Sequence, residues 1–368
     1  MNQFLAEIKS QPQALRDTLN YVLNEGKAQF LIVKDFIKKG GITKLIFTGM
    51  GSSFISTYLP YYILNQYGIT TEIRDSGEFL FNLFPERKQD IFKNTGIVII
   101  SQSGESGEIR ELLRKINSIE DTPLTIGITN NPNSYLASMT ELQILMNFDE
   151  ETSVTSKSYV CTLLLLYVMA KTITGEFFIN GKEHEHIDLL IEEITILLND
   201  LINKIWNNLV NFVGYDMNFI EIISRGSSMV TAHQAALNCK EITKIYSEAT
   251  SISIFRHGGI ECLNDNTIII LITADEKNLL LSKTFLEHLI NKWKCKKLLH
   301  ITNQNFNEEL EAIHNNPKVL VYKHNVMDNH LAPILEIIII QLLFYKIAER
   351  RGIEPGVFYF SKKVTDDI

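Results

Sequence analysis

One short motif occurs twice in the chain, and it constrains the fold more than any other feature of the sequence. Residues Ile46–Ser53 read IFTGMGSS and residues Ile222–Ser228 read IISRGSS. In both places an apolar strand-like run enters a Gly-Ser-Ser turn that a helical pattern follows. Around each copy, apolar segments alternate with helical patterns, which is typical of a parallel sheet covered by helices on both faces. The sequence therefore predicts an α/β protein with two related, doubly wound halves.

Each half contains five predicted strands in the same order. They are Leu45–Thr48, Thr71–Arg74, Gly96–Ile100, Leu124–Thr129 and Gln143–Met146, then Ile220–Ser224, Ser251–Ile254, Thr267–Ile272, Lys297–Ile301 and Val319–Tyr322. The predicted domains are residues 1–180 and 211–368, joined by a helical connection at residues 181–210. In such sheets ligands bind outside the carboxyl ends of the strands, where the Gly51-Ser52-Ser53 turn, the Gly226-Ser227-Ser228 turn and the Ser101 loop are expected to lie.

Composition restricts the classes of partner and compartment. The chain has 368 residues, 45% of them hydrophobic, and a net charge of −8, which argues against broad electrostatic binding to nucleic acid or to anionic lipid. Its four cysteines form no C-x-x-C pair, which favours reduced thiols in the cytoplasm over a disulfide framework or a structural zinc site. The first residues lack a basic segment followed by a long apolar core, so we expect no signal peptide. The apolar run Ile334–Phe344 is too short to span a bilayer, so we predict a buried helix there.

Residues Ser101–Ser106 read SQSGES and are the strongest candidate for a binding site. They follow the predicted strand Gly96–Ile100 and precede a helical pattern. The hydroxyls of Ser101, Ser103 and Ser106 and the unpaired backbone N–H groups of a helix start can converge on a phosphate dianion. Because the segment matches neither a nucleotide P-loop nor a three-glycine dinucleotide motif, we expect a small phosphorylated metabolite as the ligand. The simpler alternative is a polar turn with a serine cap.

The second half carries side chains suited to proton transfer. Glu241 lies in the segment Cys239–Tyr246, which is predicted as a helix after the second Gly-Ser-Ser turn. A carboxylate partly withdrawn from water can carry a proton between adjacent carbons of a sugar phosphate. His257 follows sixteen positions later beside two glycines that let the backbone approach a ligand, and imidazole is an acid and base near neutral pH. An ordinary surface Glu and His are the alternative interpretation.

The order and spacing of these segments resemble those of the sugar-isomerase (SIS) fold, in particular the isomerase half of glucosamine-6-phosphate synthase (glutamine–fructose-6-phosphate aminotransferase) and its stand-alone relatives. The resemblance covers nearly the whole chain. The matching segments are Glu7–Leu15, Gly51–Ser53, Ser101–Ser106, Glu150–Lys157, Lys240–Glu241, His257–Gly258 and Lys362–Thr365. This resemblance implies two tandem SIS subdomains and a small phosphorylated sugar as the substrate, with no metal or cofactor required.

The resemblance also implies roles for individual residues. Ser53, Ser101, Gln102, Ser103 and Ser106 are expected to hold the phosphate and the sugar hydroxyls, with Ser153 and Thr155 lining the same pocket. Glu241 is expected to move the proton between C1 and C2, His257 to open the sugar ring, and Lys362 to form a Schiff base with the open ketose. In this family the histidine comes from the neighbouring subunit, which implies a homodimer with shared active sites.

Two departures from the family affect the expected chemistry. The sequence begins at the isomerase-like segment and has no cysteine before Cys161, so glutamine is not expected to be the ammonia donor. A lysine that the synthase places three residues before the catalytic Glu is Asn238 here, which reduces the electrostatic support for an amine nucleophile.

Four functions remain open from the sequence. The first choice is deamination of glucosamine 6-phosphate to fructose 6-phosphate and ammonia. The others are deglycation of a fructosyl-amino acid 6-phosphate and a sugar-phosphate sensor without catalysis; simple aldose–ketose isomerisation also fits the same Glu and His. No helix-turn-helix segment accompanies the fold, and the presence of Glu241, His257 and Lys362 together favours an enzyme over a sensor.

Overall fold

A computed structural model describes residues 2–39, 41–85, 92–120, 122–178, 184–200, 206–274, 279–303, 308–360 and 362–363. The chain divides into two compact units, and their residue ranges differ from those of the predicted domains at both ends of the chain. The first unit comprises residues 10–188 and 358–368, and the second comprises residues 1–9 and 189–357. Each end of the chain thus belongs to the unit formed mainly by the other half: Asn2 donates to the carbonyl of Pro355, and Lys363 donates to the carbonyl of Ser153.

The described elements alternate strand and helix in both units. The strands are β1 Lys44–Gly49, β2 Thr70–Asp75, β3 Thr95–Ile100, β4 Leu124–Thr129, β5 Leu142–Leu145, β6 Phe219–Ser224, β7 Tyr246–Ser251, β8 Ile268–Thr273, β9 Lys297–Thr302 and β10 Val319–Lys323. The helices are α1 Gln3–Leu23, α2 Lys27–Lys39, α3 Ser52–Ser56, α4 Tyr58–Gln66, α5 Ser76–Phe81, α6 Gly107–Asn117, α7 Tyr135–Met139, α8 Lys157–Thr174, α9 Glu185–Asp200, α10 Trp206–Val213, α11 Met229–Asn238, α12 Ile252–Arg256, α13 Leu279–Glu287, α14 Glu308–His314 and α15 Ala332–Arg350.

Both sheets have five parallel strands with the same connectivity. The order is β2-β1-β3-β4-β5 in the first unit and β7-β6-β8-β9-β10 in the second when read from the β7 edge. All neighbouring strands run parallel, as in a doubly wound fold whose order reverses beside its first strand. The predicted fold class, two tandem doubly wound α/β subdomains, is therefore confirmed.

The central strands and one helix of each unit form the core. Strands β3, β4 and β8 are buried along their whole length, which explains their continuous apolar sequences. Helices α8 and α15 are also buried on nearly every side. The buried helix predicted at Ile334–Phe344 is confirmed and extends over Ala332–Arg350. No helix within the described ranges is both long and apolar enough to cross a membrane.

One predicted strand is wrong. Residues Ser251–Ile254 are not a strand: β7 occupies Tyr246–Ser251, and Ser251 caps helix α12 by accepting a hydrogen bond from the Ile254 amide at 3.2 Å. The strand was missed because β7 lies at the edge of its sheet, where its alternate residues Tyr246 and Glu248 are exposed and no apolar run is required. The predicted helix around Glu241 is correspondingly shorter and ends before Tyr246.

Candidate functional site

The first Gly-Ser-Ser turn and the Ser101 loop lie at the same end of the first sheet. Strands β1 and β3 are adjacent, with Thr48 opposite Ile99, so the segments that follow them leave the sheet side by side at the point where the strand order reverses. Gly51 has a φ of +52° with open space around it, and Ser53 lies in the first turn of α3. This is the usual position of a ligand in a doubly wound sheet.

The Ser101 loop is held in one conformation by hydrogen bonds. The Gly104 amide donates to Ser101 Oγ at 3.1 Å, and the Gln102 carbonyl accepts from the amide of Asn130 at 3.0 Å and from Thr129 Oγ1 at 3.1 Å. Gly104 has a φ of +68° and packs closely against Ser134. Gly104 is therefore required for a fixed turn.

Several polar side chains at this end of the sheet make no hydrogen bond to any described residue. Ser106 begins helix α6 without capping it through its side chain, although its hydroxyl group is in the usual capping position. The others are Ser53, Gln102 and Thr155, which are partly exposed. Together with the unpaired amides in the first turn of α6, they provide donors for an anion.

The residues predicted at 153 and 155 belong to the segment of residues 151–157, which leads from β5 into helix α8. Helix α3, which contains Ser53, packs against α8, so both segments belong to the same side of the unit. Ser153 is buried and Thr155 is partly exposed. In this segment Glu151 is buried and accepts hydrogen bonds from the amides of Ser156 and Ser158 at 2.9 and 3.1 Å, and it therefore stabilises the start of α8.

The two adjacent lysines near the end of the chain have different environments. Lys362, the predicted Schiff-base residue, has an exposed side chain. Lys363 instead forms an ion pair with the buried carboxylate of Glu151 and donates to the Ser153 carbonyl at 2.6 Å. Glu151 lies inside the family-like segment Glu150–Lys157, but the sequence alone gives no sign that Lys363 is its partner.

Glu241 lies in the second unit at an irregular helix end. Residues Cys239–Thr243 continue α11 as one π-helical turn, and Lys244 then adopts a left-handed conformation with a φ of +57°. The side chain of Glu241 is partly exposed and accepts from Asn238 Nδ2 at 3.4 Å. Lys244 donates to two backbone carbonyls, those of Glu241 at 2.5 Å and Val357 at 2.8 Å. A π turn of this kind is frequent at functional sites.

His257 also lies in the second unit, at the C-terminal end of α12, and its side chain is exposed. It lines a cavity of about 890 Å³ together with Asp216, Glu221, Glu248 and Thr250. Glu221 is buried, accepts a hydrogen bond from Thr250 at 2.5 Å and lies opposite Glu248 in the pairing of β6 with β7. Burial, opposed by the Thr250 hydrogen bond and reinforced by Glu248, raises the pKa of Glu221 to about 7.

This acidic cavity could not be predicted from the sequence. Glu221 lies in the middle of an apolar strand, and a single charged residue there gives no sign of a cavity next to it. No cluster of three or more His, Cys, Asp or Glu side chains within the described ranges is arranged to hold a metal ion.

Comparison with known proteins relates the chain to one group. Residues 42–171 match the SIS domain model. The glutamine–fructose-6-phosphate aminotransferase of Wigglesworthia glossinidia brevipalpis is 30% identical over 369 residues, which cover 95% of this chain and 55% of the relative. The chain thus spans about half the length of the curated relatives it matches.

Two solved structures have the same fold. The C-terminal domain of glucosamine-fructose-6-phosphate aminotransferase from Francisella tularensis has a TM-score of 0.76 at 21% identity, covering 100% of this chain and 98% of that one. A glucosamine-6-phosphate deaminase from Thermotoga maritima has a TM-score of 0.66 at 20% identity, covering 99% of this chain and 100% of that one. The chain therefore contains a SIS domain at residues 42–171, and over nearly its whole length it is homologous to the isomerase half of the glutamine–fructose-6-phosphate aminotransferases.

Proposed function

We propose that the protein is a phosphosugar enzyme of the aldose–ketose isomerase type, acting on a 6-phosphorylated amino sugar. The observation that carries the proposal is the set of polar side chains without a described partner at the carboxyl end of the first sheet. Gln102 and Ser106 lie just before helix α6, and Ser53 lies after strand β1, which is adjacent to β3. Neutral donors and a helix N-terminus suit a phosphate dianion, and a nucleotide-type lysine loop is not needed.

The proposed reaction converts glucosamine 6-phosphate and water into fructose 6-phosphate and ammonia. His257 opens the sugar ring, and Glu241 removes the proton from C2 and returns one to C1, so that the C2 amine becomes an imine. Attack by the Lys362 amine on C2 expels ammonia and leaves a lysine Schiff base. Water then hydrolyses this imine to the ketose and restores the lysine.

Several features support these assignments. Glu241 is partly exposed, and its carbonyl accepts a hydrogen bond from Lys244, which has a left-handed backbone. The relatives named above are named for chemistry on fructose 6-phosphate or glucosamine 6-phosphate. His257 acts on the sugar of a neighbouring subunit in the arrangement that the resemblance implies, so the proposal includes a homodimer. The proposed enzyme acts on a small molecule, and we propose no nucleic-acid or membrane partner for it.

A second candidate is deglycation of a fructosyl-amino acid 6-phosphate. The cavity that His257 lines favours it, because about 890 Å³ is far more space than ammonia occupies, and Asp216, Glu221 and Glu248 give it an acidic lining. Since the proposal places His257 at the sugar, an amino acid bound to the sugar through nitrogen would extend into this cavity. This reaction does not require attachment to Lys362.

The deciding experiment measures product release from the purified protein. Glucosamine 6-phosphate and a panel of fructosyl-amino acid 6-phosphates are supplied in parallel, and ammonia, fructose 6-phosphate and free amino acids are quantified. Release of ammonia from the first compound supports the deaminase, and release of free amino acid supports the deglycase. Binding of these compounds without turnover would refute both and would identify a sensor.

A further inference from the structure

Lys363 is fixed to the loop that leads into helix α8. Its Nζ forms an ion pair with Glu151 and donates to the Ser153 carbonyl at 2.6 Å. The Lys363 side chain is only 16% exposed, and that of Glu151 is fully buried. These contacts join the C-terminal segment to residues 151–157, 210 positions earlier in the chain.

Glu151 is a rigid anchor for this contact. Its Oε1 accepts from the Ser156 amide, the Ser156 hydroxyl and the Ser158 amide at 2.9, 3.0 and 3.1 Å, and its Oε2 accepts from the Ser158 hydroxyl at 2.5 Å. The carboxylate therefore stabilises the first turn of α8 by accepting these hydrogen bonds at the helix N-terminus, where negative charge is favourable. Lys157, the nearest other lysine in sequence, pairs with Asp149 at 2.7 Å instead.

The ion pair determines which lysine can act as a nucleophile. An ammonium group that donates to a buried carboxylate and to a carbonyl has no free electron pair with which to attack a ketone. Lys362, one position earlier, is exposed and makes no hydrogen bond or ion pair with any described residue. Fixing Lys363 therefore restricts where the Lys362 amine can lie while leaving that amine available.

We propose that Lys363 is a positioning residue: it fastens the C-terminal segment to the sugar-binding loop of residues 151–157 through Glu151 and Ser153, and so presents Lys362 to the sugar. The fastening does not depend on the proposed function, whereas the presentation of Lys362 rests on it. The same contact holds the Ser153 carbonyl, so it also fixes the backbone that precedes Thr155.

The fastening is tested without substrate by hydrogen exchange of the full-length protein. Lys363→Gln removes the charge, Lys363→Arg keeps a cation that can donate to both oxygens, and Lys362→Gln is the matched control at the exposed neighbour. We expect faster exchange of the Ser156 and Ser158 amides in Lys363→Gln, and near-normal exchange in the other two variants. Unchanged exchange in Lys363→Gln would overturn the proposal.

A second variant distinguishes release of the C-terminal segment from general unfolding of the protein. Glu151→Gln keeps the shape of the side chain but removes the charge that holds Lys363, and its thermal melting is recorded beside that of Lys363→Gln. In both variants we expect carboxypeptidase to digest the C-terminal segment faster than in the wild type, while the melting curves remain cooperative. Resistance of that segment in Lys363→Gln, with the fold intact, would contradict the proposal.

The presentation of Lys362 is tested with fructose 6-phosphate and borohydride, which reduces a Schiff base to a stable amine. The modified lysine is identified by mass spectrometry. We expect the adduct on Lys362 in the wild type, and a rate of trapping that falls about 100-fold in Lys363→Gln and recovers in Lys363→Arg. An adduct on Lys363 would overturn the proposal. No adduct at all, with the exchange result as expected, would support the fastening and refute the covalent part of the proposed function.

Discussion

The hydroxyl of Ser228 donates a 2.8 Å hydrogen bond to the buried carboxylate of Glu336. The neighbouring Ser227 is hydrogen-bonded to His330 at 2.7 Å. The hydroxyl of Ser53, the counterpart of Ser228 in the first Gly-Ser-Ser turn, makes no hydrogen bond to a described residue. In the second unit, both serine hydroxyls of the Gly-Ser-Ser turn are hydrogen-bonded to side chains of the protein. In the first unit, the Ser53 hydroxyl is left available to bind a ligand.

This difference predicts opposite effects for two equivalent substitutions. Ser228→Ala removes a donor from a buried carboxylate and should lower the free energy of unfolding by about 1–3 kcal/mol, without weakening phosphosugar binding. Ser53→Ala should change stability by less than about 0.5 kcal/mol and should weaken binding. Chemical denaturation and calorimetric titration with fructose 6-phosphate measure both quantities. Equal stability losses in the two variants would contradict this assignment.

The pH dependence of stability should reveal the raised pKa of Glu221. Burial raises its pKa from the ordinary 4.5 to about 7, so its protonated form is favoured in the folded state. The resulting stabilisation is complete below pH 4.5 and is lost as the pH rises through 7, a change on the order of 3 kcal/mol. Glu221→Gln cannot titrate and should therefore gain stability relative to the wild type across this range.

Unfolding experiments between pH 4 and 8 measure this difference. Other groups titrate in the same window, among them the buried Glu336, whose pKa burial also raises to about 7. The difference between wild type and Glu221→Gln isolates the one carboxyl. Glu248→Gln, exposed on the same pair of strands, removes the negative charge that helps to raise the pKa of Glu221, so it should move this loss of stability to lower pH. A flat difference between wild type and Glu221→Gln would show that folding does not raise the pKa of Glu221.

The fold could be predicted because its signals are local. Buried strands such as β3 and β8 are continuous apolar runs, and the duplicated turn fixes where each sheet begins. Strand β7 was misplaced because an edge strand is half exposed, and its residues are mostly polar. The ion pair between Lys363 and Glu151 could not be predicted, since 212 positions separate the two residues. Lys362 and Lys363 are also adjacent, and the sequence does not show which of them pairs with Glu151.

Glu241 is expected to be essential for turnover but not for binding. Glu241→Gln retains the size and hydrogen bonding of the side chain, yet an amide cannot carry the proton between C2 and C1, so kcat should fall roughly 100- to 10,000-fold. The proton itself provides the sharper measurement: loss of deuterium from C2-labelled substrate should stop in the variant. Glu248→Gln controls for the loss of one negative charge in the same unit, and a normal exchange rate in Glu241→Gln would refute the role of Glu241.

Gly104 tests whether the shape of the Ser101 loop is what binds the phosphate. Its φ of +68° disfavours any residue with a Cβ, and a Cβ at this position would lie only 2.2 Å from Ser134 Oγ. Gly68 has a nearly equal φ of +74° with open space around it, so Gly68→Ala introduces the same backbone strain, about 1–2 kcal/mol, without the collision. Gly104→Ala must displace the loop, and we expect it to weaken phosphosugar binding at least about tenfold, or 1.4 kcal/mol, while Gly68→Ala leaves binding unchanged. Titration of both variants with fructose 6-phosphate makes the comparison, and equal affinities would mean that the phosphate does not depend on this loop.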